Sequence, residues 1–168
     1  MGRGLASDRH QAHLWQSPQF REVAVIFRKI LIAIDSEPIA AHAADVGAEF
    51  ARLAGADVAF IHVIDDALVN AADTGIQPDV LAASAKEDAR KLIEEFRKRL
   101  PQQSSALEFV QIGTPLTEIV NAAKDWPADL IVIGSHGRGG VKRALLGSVA
   151  EGVMRHAPCP VLVVRAKG

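Results

Sequence analysis

The sequence predicts an α/β fold, a five-stranded doubly wound parallel sheet with helices on both faces. Strand-like runs alternate with helical segments in the order β-α-β-α-β-α-β-α-β, the pattern of repeated parallel crossovers. Several of these runs are apolar without a break, as in strands covered on both faces. The chain has 168 residues, 49% of them hydrophobic and 23% charged, which suits one globular domain with a sizeable core.

Residues 30–34 (ILIAI) make the first strand, and Asp35 ends it. Ser36 is placed to cap the helix that follows, and Pro38 fits its first turn, where a missing N–H costs nothing. Ala41, Ala44, Val46, Ala48, Phe50, Ala51 and Leu53 form a helical stripe that Gly55 terminates. Residues 58–64 make the second strand, closed by Asp65 and Asp66. Residues 67–80, with Asn70, Asp73, Gly75 and Pro78, read as a loop or broken helix. A long helix is expected over 80–100, its charges marking a solvated face and Pro101 following its end. Residues 107–112 alternate more than the other strands, as an edge or partly exposed strand does. Thr114 then caps a helix with Pro115 at its first position and Leu116, Ile119, Val120 and Ala123 inside. Asp125-Trp126-Pro127 turns the chain into an apolar strand at 130–133. A glycine-rich stretch, a helix over 148–155 and a last strand, Val161–Val164, complete the order.

Composition excludes several functions. Nineteen Lys and Arg against twenty Asp and Glu leave a net charge of −1, so no global field would grip nucleic acid or an anionic membrane. No apolar run approaches the roughly 20 residues of a spanning helix, and the N-terminus has no secretory pattern. A single cysteine, Cys159, rules out an internal disulfide and fits a reducing, cytoplasmic setting; flanked by Pro158 and Pro160, it reads as a packed thiol. Residues 1–22 are polar, mixed in charge and aperiodic. We expect 1–28 to be a mobile extension and 29–168 to be the domain.

In doubly wound sheets ligands sit beyond the carboxyl ends of the strands, where the winding reverses. That directs attention to Asp35, Val63 to Asp66, Gln111 to Gly113, and the chain from Gly134 onward. Gly134, Gly137, Gly139 and Gly140 fall within seven residues, with Arg138, Lys142 and Arg143 nearby. Glycines let a ligand approach the backbone, and the helix opened by Gly147-Ser148 offers free N–H groups to an anion. Phosphate is the natural candidate. The stretch is not a Walker A loop, because Gly140 and Val141 occupy the Lys and Ser/Thr places. It is not the dinucleotide pattern, which belongs after the first strand. His136 has no identifiable catalytic partner and reads as a loop hydrogen-bonder, and His62, mid-strand, reads as structural.

These residues resemble the universal stress protein family, in its ATP-binding branch. The pattern is Gly134, two residues, Gly137, nine residues, then Gly147-Ser148. Residues 30–35 (ILIAID), His62-Val63-Ile64-Asp65, Gly134-Ser135-His136-Gly137 and the stretch 158–164 (PCPVLVV) are similar to the family as well. The resemblance spans about residues 29–165. It implies that Asp35 meets the nucleoside, with Ala33 and Ile34 lining that side. It implies that the Val63 backbone reads the adenine edge, and that Gly134 and Gly137 pass close to ribose and phosphates. Gly147, Ser148 and Val149 would bind phosphate through N–H groups and the Ser148 hydroxyl. Apart from the resemblance, one of the nearby basic residues Arg138, Lys142 and Arg143 is expected to touch phosphate, and Arg138 is the one assigned. The implied ligand is ATP with Mg2+ or Mn2+, and the implied partner is a second copy paired through Val161–Val164. The resemblance also implies a stress-response regulator whose nucleotide tunes its dimer or partner state. A slow ATP-hydrolysing enzyme and a nucleotide-free dimeric interaction module stand as alternatives; no catalytic or metal-ligating residue is assigned. Two departures stand out: Asp35-Ser36-Glu37 is one residue shorter than the family's usual first loop, and the segment before Lys29 is additional.

Overall fold

A computed structural model describes residues 27–67, 77–100, 106–135 and 146–165. Within them the strands are β1 (Lys29–Ala33), β2 (Asp57–Asp65), β3 (Ala106–Gly113), β4 (Leu130–Gly134) and β5 (Val161–Val164). The helices are α1 (Pro38–Ala54), α2 (Pro78–Arg97), α3 (Pro115–Asp125) and α4 (Ser148–His156). All strand pairs are parallel, and the spatial order is β3-β2-β1-β4-β5. The chain winds outward from β1 to β3, then restarts on the other side with β4 and β5. The expected doubly wound sheet is therefore present, and its winding reverses between β1 and β4.

Successive strand residues point to opposite faces, so the unbroken apolar runs feed two cores. Ile30, Ile32, Val58 and Phe60 pack with Ala43, Ala44, Ile93 and Phe96 of α1 and α2. Leu31, Ala33, Ile61 and Ile131 pack with Ile119, Ala123 and Val153 of α3 and α4. The buried face of α1 consists of Ala40, Ala43, Ala44, Gly47, Ala48 and Ala51, small residues that let the helix lie close to the sheet. At Gly47 an added Cβ would stand 2.7 Å from Ile32 Cδ1.

The amino end of the β1/β4 pair is held together. The Asp129 carboxylate accepts the N–H of Arg28 at 2.9 Å and that of Lys29 at 3.1 Å, while Asp129 N–H donates to the Lys29 carbonyl at 3.0 Å. Lys29 Nζ also lies 5.5 Å from the centre of the Trp126 ring. At the carboxyl end, β1/β4 pairing stops at Ile32↔Val132 where the winding of the sheet reverses, and it is there that a crevice can open.

Several boundaries differ from expectation. The N-cap of α1 is Glu37, not Ser36, because the Asp35 carboxylate accepts the Glu37 N–H at 2.9 Å and carries the turn one residue further. Gly55 does end α1, in the left-handed region at φ 62°, which glycine adopts without strain. The long helix runs 78–97 rather than 80–100; its last expected residues form turns, with Leu100 N–H donating to the Arg97 carbonyl at 3.0 Å. Thr114 stands at the N-cap of α3, yet its side chain makes no capping bond. β3 is an edge strand, as its alternation predicted. Of the expected extension, Phe27 packs on the first core and Arg28 meets Asp129; residues 1–26 lie outside the described residues. So do 68–76, the middle of the expected loop, and Pro101.

Candidate functional site

The last main-chain bond between β1 and β2 runs from Ile34 N–H to the Ile61 carbonyl, 2.9 Å. In a parallel strand the N–H and C=O of one residue point the same way, and the direction alternates along the chain. Asp57 donates to Arg28, and Ile61 accepts from Ile34, so the odd-numbered residues of β2 face β1. The next of these is Val63. Its N–H and C=O therefore point to the side that β1 has just vacated. The regular next rung would be Val63 N–H to the Ile34 carbonyl, but it is not formed among the described backbone bonds. The Ile34 carbonyl instead meets His62 Nδ1 at 3.0 Å. A carbonyl only accepts, so Nδ1 carries the hydrogen.

Asp35 follows at once, half-buried, with one carboxylate oxygen receiving the Glu37 N–H. Asp65 ends β2 and Asp66 follows it, and the Asp65 carboxylate accepts the Ala67 N–H at 3.0 Å. Three carboxylates thus stand on the β1/β2 side of the crevice.

Across the crevice, pairing between β1 and β4 stops at Ile32↔Val132. Ser135 N–H donates to the Val164 carbonyl at 2.8 Å. By the same alternation Gly134 turns its backbone toward β1, past the last paired position. Ser135 is 2% exposed, and its carbonyl accepts the Gly147 N–H at 2.8 Å. That bond draws the start of α4 onto the end of β4. Gly147 is the N-cap, at φ −64° and ψ 148°, and no side chain caps the helix. Ser148 is its first helical residue and not its cap, since the Gly147 carbonyl already accepts the Glu151 N–H at 2.9 Å. The N–H groups of the first turn, from Ser148 and Val149 among others, have no partner within the helix. Gly152 sets how closely α4 lies on α3; a Cβ there would stand 2.8 Å from Leu116 Cδ2.

Ala33, Ile34, Asp35, Val63, Gly134, Gly147, Ser148 and Val149 thus gather at the carboxyl ends of β1, β2 and β4 and at the start of α4. Gly137 and Arg138 lie outside the described residues, as do His136, Lys142 and Arg143. Sequence reasoning missed Ser135, whose only sequence signal is its place between two glycine-motif residues. Cys159 lies away from the crevice, before β5. Burial first, and the Asp129 carboxylate second, push its thiol above the ordinary range, which agrees with a packed thiol.

The arrangement is polarised. A helix N-terminus favours negative charge at the β4/α4 side, while an exposed strand backbone offers a donor and an acceptor at the β2 side. A ligand with an anionic group and a flat hydrogen-bonding group suits both. No group of three or more His, Cys, Asp or Glu among the described residues could hold a metal ion through side chains alone.

The model of the universal stress protein family matches residues 26–165. Universal stress protein YxiE of Bacillus subtilis is 33% identical over 148 residues, covering 83% of this chain and 100% of that protein. The solved structure of MJ0577 from Methanocaldococcus jannaschii is 32% identical and covers 86% of this chain and 99% of its own, with a TM-score of 0.76. The structure of the universal stress protein from Archaeoglobus fulgidus in complex with dAMP is 27% identical. It covers 83% of this chain and 98% of that one, with a TM-score of 0.56. No helix among the described residues is long and apolar enough to cross a membrane.

Proposed function

Since the chain belongs to the universal stress protein family, we propose that it is an ATP-binding, cytoplasmic stress-response regulator whose nucleotide tunes pairing with a second copy or a protein partner. The observation that carries this reading is the junction of β4 with α4. There the Ser135–Gly147 bond sets the uncapped helix N-terminus beside the winding reversal of the sheet. The bound dAMP of the relative from Archaeoglobus fulgidus supports an adenine nucleotide as the ligand class.

Each residue then has a task. The N–H groups of Ser148 and Val149, with the Ser148 hydroxyl, hold phosphate oxygens in charge-assisted hydrogen bonds. Gly134 and Gly137 let the backbone approach ribose and phosphate, and Arg138 adds a positive contact. The Asp35 carboxylate accepts from the ribose hydroxyls, and Ala33 and Ile34 line that side. The Val63 N–H donates to an adenine ring nitrogen, and its carbonyl accepts from the exocyclic amine. Mg2+ takes one or two carboxylates at most and keeps several waters, so Mg2+ or Mn2+ would be carried mainly by the phosphates. A micromolar site corresponds to about −8.2 kcal/mol. At a thousandfold excess of ligand it would stabilise the fold by about 4.1 kcal/mol, enough for the nucleotide to govern the folded and paired populations.

The test is to release and chromatograph the nucleotide that co-purifies with the protein, and to repeat with Gly147→Val. The backbone angles at Gly147 suit any residue, so valine there obstructs the phosphate contact without straining the turn. We expect ATP or ADP from the wild type and none from the variant, together with a rise of wild-type melting temperature in MgATP. An empty wild type with no thermal shift overturns the nucleotide reading and leaves the dimeric interaction module.

A further inference from the structure

His62 lies on the α1/α2 face of β2, the face of its neighbour Phe60, one residue before the strand position that faces the crevice. Its bond to the Ile34 carbonyl takes up the acceptor to which a continued β1/β2 ladder would direct the Val63 N–H. Were the ladder one rung longer, that N–H would be engaged by protein and withdrawn from any ligand. The same bond fixes the peptide between Ile34 and Asp35, and with it the point from which the Asp35 side chain projects.

We infer that His62 is a positioning residue for nucleobase recognition: its Nδ1–H occupies the Ile34 carbonyl, ends β1/β2 pairing one rung early, and keeps the Val63 backbone open to the base. This rests on the nucleotide reading above and adds a residue that does not itself touch the ligand. The Ile34 N–H to Ile61 bond holds the peptide that precedes Ile34, and the imidazole holds the one that follows it. In this arrangement Nδ1 carries the hydrogen that the Ile34 carbonyl accepts. The phosphate end of the site, built on α4, owes nothing to it.

The experiment compares ATP and inorganic tripolyphosphate by isothermal titration calorimetry on wild type, His62→Leu, His62→Asn and His62→Gln. Asparagine carries its amide nitrogen where Nδ1 stands; glutamine carries it where Nε2 stands. We expect His62→Leu and His62→Gln to bind ATP about tenfold more weakly, the scale of one lost hydrogen bond. We expect His62→Asn to recover most of that loss, and tripolyphosphate to bind all four proteins equally. Nitrogen-15 NMR of the free wild type should show His62 protonated at Nδ1. If His62→Leu does not fold, the Asn and Gln pair with the NMR measurement decides. ATP affinity unchanged across the variants overturns the inference and spares the nucleotide reading. So does a loss equal for ATP and tripolyphosphate, or an asparagine no better than glutamine. A wild type that gives no heat with ATP overturns the nucleotide reading, and the inference with it.

Discussion

A methyl group added at Gly47 would stand 2.7 Å from Ile32 Cδ1 and 3.6 Å from Val132 Cβ, and both of those side chains are fully buried. At Gly152 the added methyl would stand 2.8 Å from Leu116 Cδ2, but Leu116 is only partly buried and has room to turn. The distances are nearly equal and the outcomes should not be. Overpacking costs roughly 1–3 kcal/mol, and replacing a helical glycine by alanine returns about 0.5–1 kcal/mol. Gly47→Ala should therefore lower stability by about 1 kcal/mol or more in urea unfolding, while Gly152→Ala should be neutral or slightly stabilising. Neither contrast can be read from the sequence, because the partner of each glycine belongs to another element. His62 illustrates the same limit. Its spacing makes it a strand residue, but its reach to Ile34 depends on the strand register. Asp35, by contrast, was legible as a residue at the end of a buried strand, where a doubly wound sheet presents its ligands.

The starts of the helices were the least legible elements. Ser36 has the right chemistry for a cap, yet the Asp35 carboxylate takes the Glu37 N–H first and moves the cap onward. Thr114 stands at the cap position without using its hydroxyl, and Ser148 stands one place inside α4. Capping is a competition among neighbouring side chains for the same few N–H groups, and the sequence names the competitors without the winner. The strands were clearer, since an apolar run between turn residues has few other readings. The bounds of β5 match the run Val161–Val164, and the alternation of β3 fits the edge or partly exposed strand it implied. What the runs could not give was their order across the sheet. Asp35 gives this scale a prediction. Asp35→Ala should lose the turn that opens α1, about 1 kcal/mol, and weaken ATP binding. Asp35→Asn keeps the accepting oxygen, so unfolding should show a smaller loss of stability than for Asp35→Ala, while calorimetry still shows weaker ATP binding.

For the molecule as a whole, the open edge at β5 is the surface on which a second copy would pair. Ile131 donates to Pro160 and Ser135 to Val164, so the even-numbered residues of β5 bond to β4. Val161 and Val163 then present their N–H groups outward. A proline at 163 removes an outward donor and no β4 ladder bond, a position that edge strands tolerate. If pairing runs through this edge, sedimentation should show a dimer for wild type and a monomer for Val163→Pro, with melting temperature little changed. The bond from Gly147 to Ser135 acts at the same scale. It brings the end of β4 and the start of α4 to one point on the fold, so the intervening chain must close a loop, and the entropy of that closure grows only slowly with length. Doubling such a loop costs only about 0.6 kcal/mol. If the nucleotide binds as proposed, it is the ligand and not the scaffold that fixes the nine residues between Gly137 and Gly147.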